Sequence, residues 1–135
     1  MYHVGGSGQM YLAVYDGANL PANQLGSSPV TDTDSSTDWQ TIPLSSPVFV
    51  AGGTQIWLAW VYSSNPGISY QSGSPGRADA GVGFSGGMPQ TFGTSTQSNF
   101  QYAIYASYIA SAAKTDPLLN KNQEARESAA SAILD

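Results

Sequence analysis

The sequence predicts an all-β protein: a jelly-roll-like antiparallel β-sandwich with a short, partly helical C-terminal tail. Three observations carry the prediction. At least five short apolar stretches alternate as strands do, Gly- and Pro-rich turns separate them, and no long helical period precedes residue 110. Nothing between the strands is long enough for a βαβ crossover, so the pairing is expected to be antiparallel.

The stretch at 54–62, TQIWLAWVY, anchors the scheme. It carries no charge, Gly or Pro, and both of its sides are mostly apolar, which predicts a central strand covered on both faces. Before it, residues 10–16 (MYLAVYD) read as a strand that ends at the Asp16-Gly17 turn signal. Residues 17–38 are long and polar; short edge strands are expected at 24–25 and 30–33, because a bare loop of that length is unusual in a compact domain. Residues 39–44 (WQTIPL) predict an edge strand, since Pro43 has no N–H for a ladder. Gly52-Gly53 marks a tight turn, either closing a hairpin or carrying the chain between sheets. A short strand is predicted at 68–71 and a closing strand at 100–108 (FQYAIYASY), with an irregular, glycine-rich region at 72–99 between them. Val82, Phe84, Met88 and Phe92 punctuate that region; they either pin it to the sandwich or line a groove.

The composition changes after residue 109, where Lys114, Lys121 and Arg126 appear. Asp116-Pro117 is a helix start signal, and 123–134 is rich in helix formers. The domain organisation expected is a β-sandwich over 1–109 and an extension over 110–135, docking on its own sheet or on a neighbour.

Charge and composition narrow the function. The formal net charge is −5, and through residue 113 Arg77 stands alone against Asp16, Asp32, Asp34, Asp38 and Asp79. That pattern argues against a nucleic-acid partner and against an anionic membrane surface. No run is long and apolar enough to predict a membrane-inserted helix, and no signal peptide is visible at the N-terminus. With no cysteine and one histidine, His3, a structural zinc site and a Ser-His-Asp triad are not expected. Glutamate occurs only at 124 and 127, so a glycosidase pair would have to come from aspartates in turn-like contexts. The expectation is a protein without catalysis and without a cofactor. The cluster Asp32, Asp34 and Asp38 (DTDSSTD) is the one calcium candidate, although it lacks the Gly and the closing Glu of an EF-hand loop; a solvated loop is the preferred reading. Aromatic residues stand out, with three Trp, eight Tyr and four Phe. Trp39, Tyr70 and Tyr105 fall at strand ends or on mixed faces and are the candidates for glycan or interface contacts; Trp57, Trp60 and Tyr62 are assigned to the core.

The blocks MYLAVYD, WQTIPLSSPVFVAGGTQIWLAW and FGTSTQSNFQYAIYASY, in that order over residues 10–109, resemble a recurrent bacterial and phage β-sandwich module. Such modules serve as accessory or structural domains of surface, carbohydrate-active and phage proteins. The resemblance implies a non-catalytic jelly roll and carries over no site residue. Those modules begin with a further pair of strands that this chain lacks room for, so either the sequence is a fragment or a neighbour or the tail completes the sheet. The function expected is that of a structural or attachment protein acting with other copies of itself or with neighbouring structural proteins. A decoration or fibre component of a phage or virus particle is its most concrete form. The alternative is a carbohydrate-binding module that meets surface glycans. The location expected is a virion or the extracellular or cell surface.

Overall fold

The computed structural model describes residues 1–110; the predicted helices of the tail lie outside the described residues. Within them the chain is all-β, with antiparallel pairing throughout. The strands are β1 (Tyr2–His3), β2 (Gln9–Tyr15), β3 (Gln24–Ser27), β4 (Thr31–Asp32), β5 (Asp38–Trp39), β6 (Trp57–Tyr62), β7 (Tyr70–Asp79) and β8 (Thr96–Tyr102). One single-turn 3-10 helix, Phe84–Gly86, is the only helical element described. No helix among the described residues is long and apolar enough to cross a membrane.

The strands form three sheets rather than a closed barrel or a jelly roll. β1 pairs with β5, β7 pairs with β8, and the largest sheet is built on β2. β3 and β4 share one edge of β2, and β6 takes the whole of the other, from Met10 opposite Tyr62 to Tyr15 opposite Trp57. The centre of the fold is therefore β2, not the 54–62 stretch. Met10, Ala13, Val14 and Tyr15 are buried, whereas every residue of β6 is only half-buried. β6 makes ladder bonds to β2 alone, so its second edge is open among the described residues. Sequence pattern counts apolar side chains; it does not count neighbours, and an edge strand beside a trough is as apolar as a central one.

Other elements depart from expectation for local reasons. The 39–44 strand shrinks to Asp38–Trp39, and Pro43 lies in a stretch without ladder pairing that runs to residue 56. No strand lies directly before Gly52-Gly53, since residues 40–56 carry none, so the chain turns there without closing a hairpin. β7 extends well past the predicted 68–71, into the glycine-rich region. It does so through a bulge: Ser72 faces Phe100 and Arg77 faces Ser98, so residues 73–76 stand opposite Asn99 alone. Gly76 is required in it, because a Cβ there would strike the Ser98 carbonyl. β8 begins earlier than predicted and stops at Tyr102 rather than Tyr108. It stops because Tyr102 meets Tyr70, the first residue of β7, and the chain before Tyr70 leaves to bridge Ile68 to His3.

The Asp16-Gly17 turn is as predicted in place and cause. Gly17 sits at φ 124°, and a Cβ on it would collide with the Leu20 carbonyl. The Asp16 carboxylate accepts from the Asn23 N–H at 2.7 Å, which closes the loop before β3.

Candidate functional site: an aromatic trough beside an open strand edge

The main concavity is a trough of about 980 Å³ between β6 and the β7–β8 pair. Trp57 and Trp60 contribute from β6, Phe100 and Tyr102 from β8, Arg77 from β7 and Phe92 from the glycine-rich loop. Each wall is fixed by a polar tie. The Trp57 indole N–H donates to the Gly17 carbonyl at 2.9 Å, which holds β6 against the 16–22 loop. The Tyr15 hydroxyl donates to the Pro89 carbonyl at 2.6 Å, and its ring meets Phe92 edge-on at 5.2 Å. Gln24 Nε2 donates to the Met88 carbonyl at 3.1 Å. Burial holds the Tyr15 phenol above its ordinary pKa, against a smaller opposite pull from Gln24, so it stays a neutral donor at physiological pH.

The far wall is an aromatic cluster around one cation. Tyr102 packs on Trp60 at 4.8 Å and on Tyr70 at 5.5 Å, and Tyr70 meets Phe100 edge-on at 5.1 Å. Arg77 threads this cluster: Nη1 donates to the Tyr102 hydroxyl at 2.9 Å and Nε to Ser98 Oγ at 3.1 Å. Its Nη2 lies 3.2 Å from the Asp79 carboxylate, in a partly exposed pair that contributes little stability of its own. At the end near Tyr62 a smaller, polar hollow of about 330 Å³ is lined by Tyr70, Arg77, Tyr102, Ser63, Ser64 and Asn65. What the trough offers chemically is stacking area, a charge-neutral guanidinium–carboxylate pair and the free backbone edge of β6. Asp79 is the one carboxylate among the described residues of its lining, so those residues hold no pair of acids for hydrolysis.

The predicted site residues separate into three places. Tyr70 is in the trough wall and is 61% exposed. Trp39 and Tyr105 pack on each other at 4.8 Å, with Tyr2 edge-on to Trp39 at 5.6 Å, and form a second aromatic group away from the trough lining. Asp32, Asp34 and Asp38 do not converge. Asp32 accepts from Gln9 Nε2, Asp34 from the Ser36 N–H and hydroxyl, and Asp38 from the Trp39 N–H. The bonds from Ser36 hold the Asp34 carboxyl below its usual pKa. No three acidic or imidazole groups among the described residues are placed to share a metal ion. Of the four loop residues, Val82, Met88 and Phe92 line the trough, while Phe84 packs on Tyr11 at 5.2 Å. Three of the four thus face the trough and one packs on β2.

Trp60, Tyr102 and Arg77 line this candidate site; the sequence places Trp60 in the core and singles out neither of the other two. The available signal was Arg77, the one cation before Lys114, in a chain rich in aromatic rings. Compared with known protein families, curated proteins and solved structures, the chain matches none.

Proposed function

We propose that the chain is a non-catalytic structural or attachment module that works in an oligomeric assembly, with the trough beside β6 as its contact surface. A decoration or fibre component of a phage or virus particle is the most concrete form. The observation that supports this reading is the open edge of β6 next to an apolar, aromatic hollow. Native sheets blunt exposed edges with charges, prolines or bulges, and residues 54–62 carry none of these. The test is the mass of the full chain in solution across a concentration series, with Ile56→Asp as the comparison. Ile56 lines the trough and is 36% exposed, so a charge there enters the contact without entering the core. Concentration-dependent oligomers that Ile56→Asp dissociates support the reading. A monomer at every concentration, unchanged by the substitution, refutes assembly through this surface.

One observation favours a second reading, a carbohydrate-binding module. Tyr70 presents an exposed ring beside Arg77, Ser63, Ser64 and Asn65, and a ring with adjacent polar groups suits a sugar face and its hydroxyls. Binding on a glycan array that Tyr70→Ala removes without unfolding would carry that reading, and an array without signal at high protein concentration would end it.

A further inference from the structure

We propose that residues 105–110 of one copy add as a strand to the open edge of β6 in a second copy. This rests on the assembly reading above and names both its partner and its joint. The acceptor is six residues of backbone, Trp57–Tyr62, paired on one side only among the described residues. The donor starts in the second half of the predicted closing strand, 100–108, and runs two residues past its end. The alternation of FQYAIYASY continues past Tyr102, but the ladder does not, because β7 has no residue left to pair with it. Tyr105, Tyr108 and Ile109 are consequently 56, 87 and 97% exposed. Six residues without a ladder partner among the described residues, three of them strand formers (Tyr105, Tyr108 and Ile109), match six residues of edge, and neither stretch carries a charge that would oppose their pairing.

A second copy suits the donor better than its own β6. To fold back, the chain would have to reverse soon after Tyr102. Ala103 is tied down there: its N–H donates to the Ser69 carbonyl at 3.0 Å, and its carbonyl accepts from the Tyr2 N–H at 3.0 Å. Two residues on, the Tyr105 ring rests on Trp39. From Phe100 to Thr115 the sequence holds no Gly, Pro, Asn or Asp, and Ser107 and Ser111 are the only residues of the usual turn set. Among the described residues the one turn-like bond there is at Ala103, where the Ile104 N–H donates to the Tyr102 carbonyl at 2.9 Å. A segment built in this way leaves its own domain and reaches a neighbour. Because donor and acceptor lie on the same chain, each copy can both give and receive. The arrangement closes into a ring or grows into a filament according to the rotation between copies.

Cross-linking tests the joint directly, since the chain has no cysteine of its own. One full-length preparation, isotopically labelled, carries Ala59→Cys in mid-β6; the other, unlabelled, carries Ser107→Cys in the donor. A short bismaleimide is added to the mixture, and a chain carrying both substitutions is treated in parallel at high dilution. Ala106→Pro provides a second arm. Residue 106 is exposed, and proline there removes one N–H from an added strand, so the fold should persist while association weakens by roughly tenfold, the equivalent of about one ladder bond. Sedimentation reads the association and circular dichroism reads the fold. The expected result is a 59–107 link between labelled and unlabelled chains, together with weakened association of the proline variant. A link found only within the doubly substituted chain overturns the proposal in favour of the chain's own β6. Oligomers that persist with no 59–107 link, or unweakened by proline, overturn strand donation and leave the assembly reading standing. A protein that is monomeric throughout overturns both.

Discussion

Replacing Tyr15 by Phe tests how the trough is held in shape. The Tyr15 ring is fully buried and lies edge-on to Phe92, so the substitution keeps the packing and removes a single oxygen. That oxygen donates at 2.6 Å to the Pro89 carbonyl, across a span of 74 residues. A net hydrogen bond contributes about 0.5–1.5 kcal/mol, and an acceptor left wholly unsatisfied costs about 1–3. Pro89 is not left wholly bare, because Gln24 Nε2 also approaches its carbonyl, at 3.5 Å. The lower range therefore applies, and Tyr15→Phe should cost about 1 kcal/mol, a fall in Tm of roughly 4 °C. The same geometry predicts non-additivity. Gln24→Ala alone removes its bond to the Met88 carbonyl and should itself cost about 1 kcal/mol while the Tyr15 bond to Pro89 remains, but Tyr15→Phe with Gln24→Ala strips the Pro89 carbonyl of both donors. The double variant should lose about 1 kcal/mol more than the sum of the two singles. Urea unfolding curves for the four proteins measure this cycle, and near-UV circular dichroism reports whether Phe92 keeps its environment. A Tyr15→Phe variant within about 0.3 kcal/mol of the parent, with strictly additive effects, would refute the claim that this bond pins the 88–92 loop to β2.

His3 is fully buried and its Nδ1 has no hydrogen-bond partner among the described residues. Burial first, and the Met1 ammonium second, push its pKa below the ordinary value, with Asp34 pulling weakly the other way; Tyr62 is the remaining polar neighbour, at 3.3 Å from Nε2. The unfolded chain then binds the proton more readily than the folded one. Stability should be complete above about pH 6.5, fall as the pH drops below it, and level off once the buried ring itself titrates; a Tm series from about pH 7.5 to 5 checks this, and His3→Gln should flatten it. Gly17→Ala should destabilise by about 3 kcal/mol or more in urea unfolding, because both its φ of 124° and its contact with the Leu20 carbonyl exclude a side chain. Self-association, followed by light scattering from about 0.05 to 0.5 M salt, should hold steady or strengthen. A basic or nucleic-acid partner would give the opposite slope.

The all-β class and most strand positions were legible because they depend on local pattern and turn chemistry. The 10–16 stretch became β2 nearly as read, since alternation and the Asp16-Gly17 turn fixed both its face and its end. What was not legible depends on partners distant in the chain. The 54–62 stretch has the composition of a central strand, yet β2 took that role, because only pairing decides which strand has two neighbours. The glycine-rich 72–99 region looked irregular, yet both β7 and β8 extend into it. A glycine in a strand weakens the local signal, and here Gly76 is the residue that allows the bulged ladder to form. For the site, Tyr70 was found from its place at a strand end. Arg77 was not, because its significance arises only when the bulge sets it against Ser98 and brings it within reach of Tyr102.

The distribution of charge ties the site to the assembly reading. The chain is acidic, and copies of an acidic chain repel one another. The repulsion is screened beyond about 8–10 Å at ordinary ionic strength, so what matters is the charge that the contact itself brings close. Arg77 and Asp79 are the only charged residues lining the trough among the described residues, and they neutralise each other at 3.2 Å. Asp16, Asp32, Asp34 and Asp38, which make up the excess before residue 111, all lie outside that lining. Residues 103–110 are uncharged as well. A surface meant for a cationic or anionic ligand would concentrate charge of one sign where the ligand sits. Here the described lining carries no net charge and those four aspartates lie outside it, so a second copy placed at the trough as proposed would meet little repulsion there.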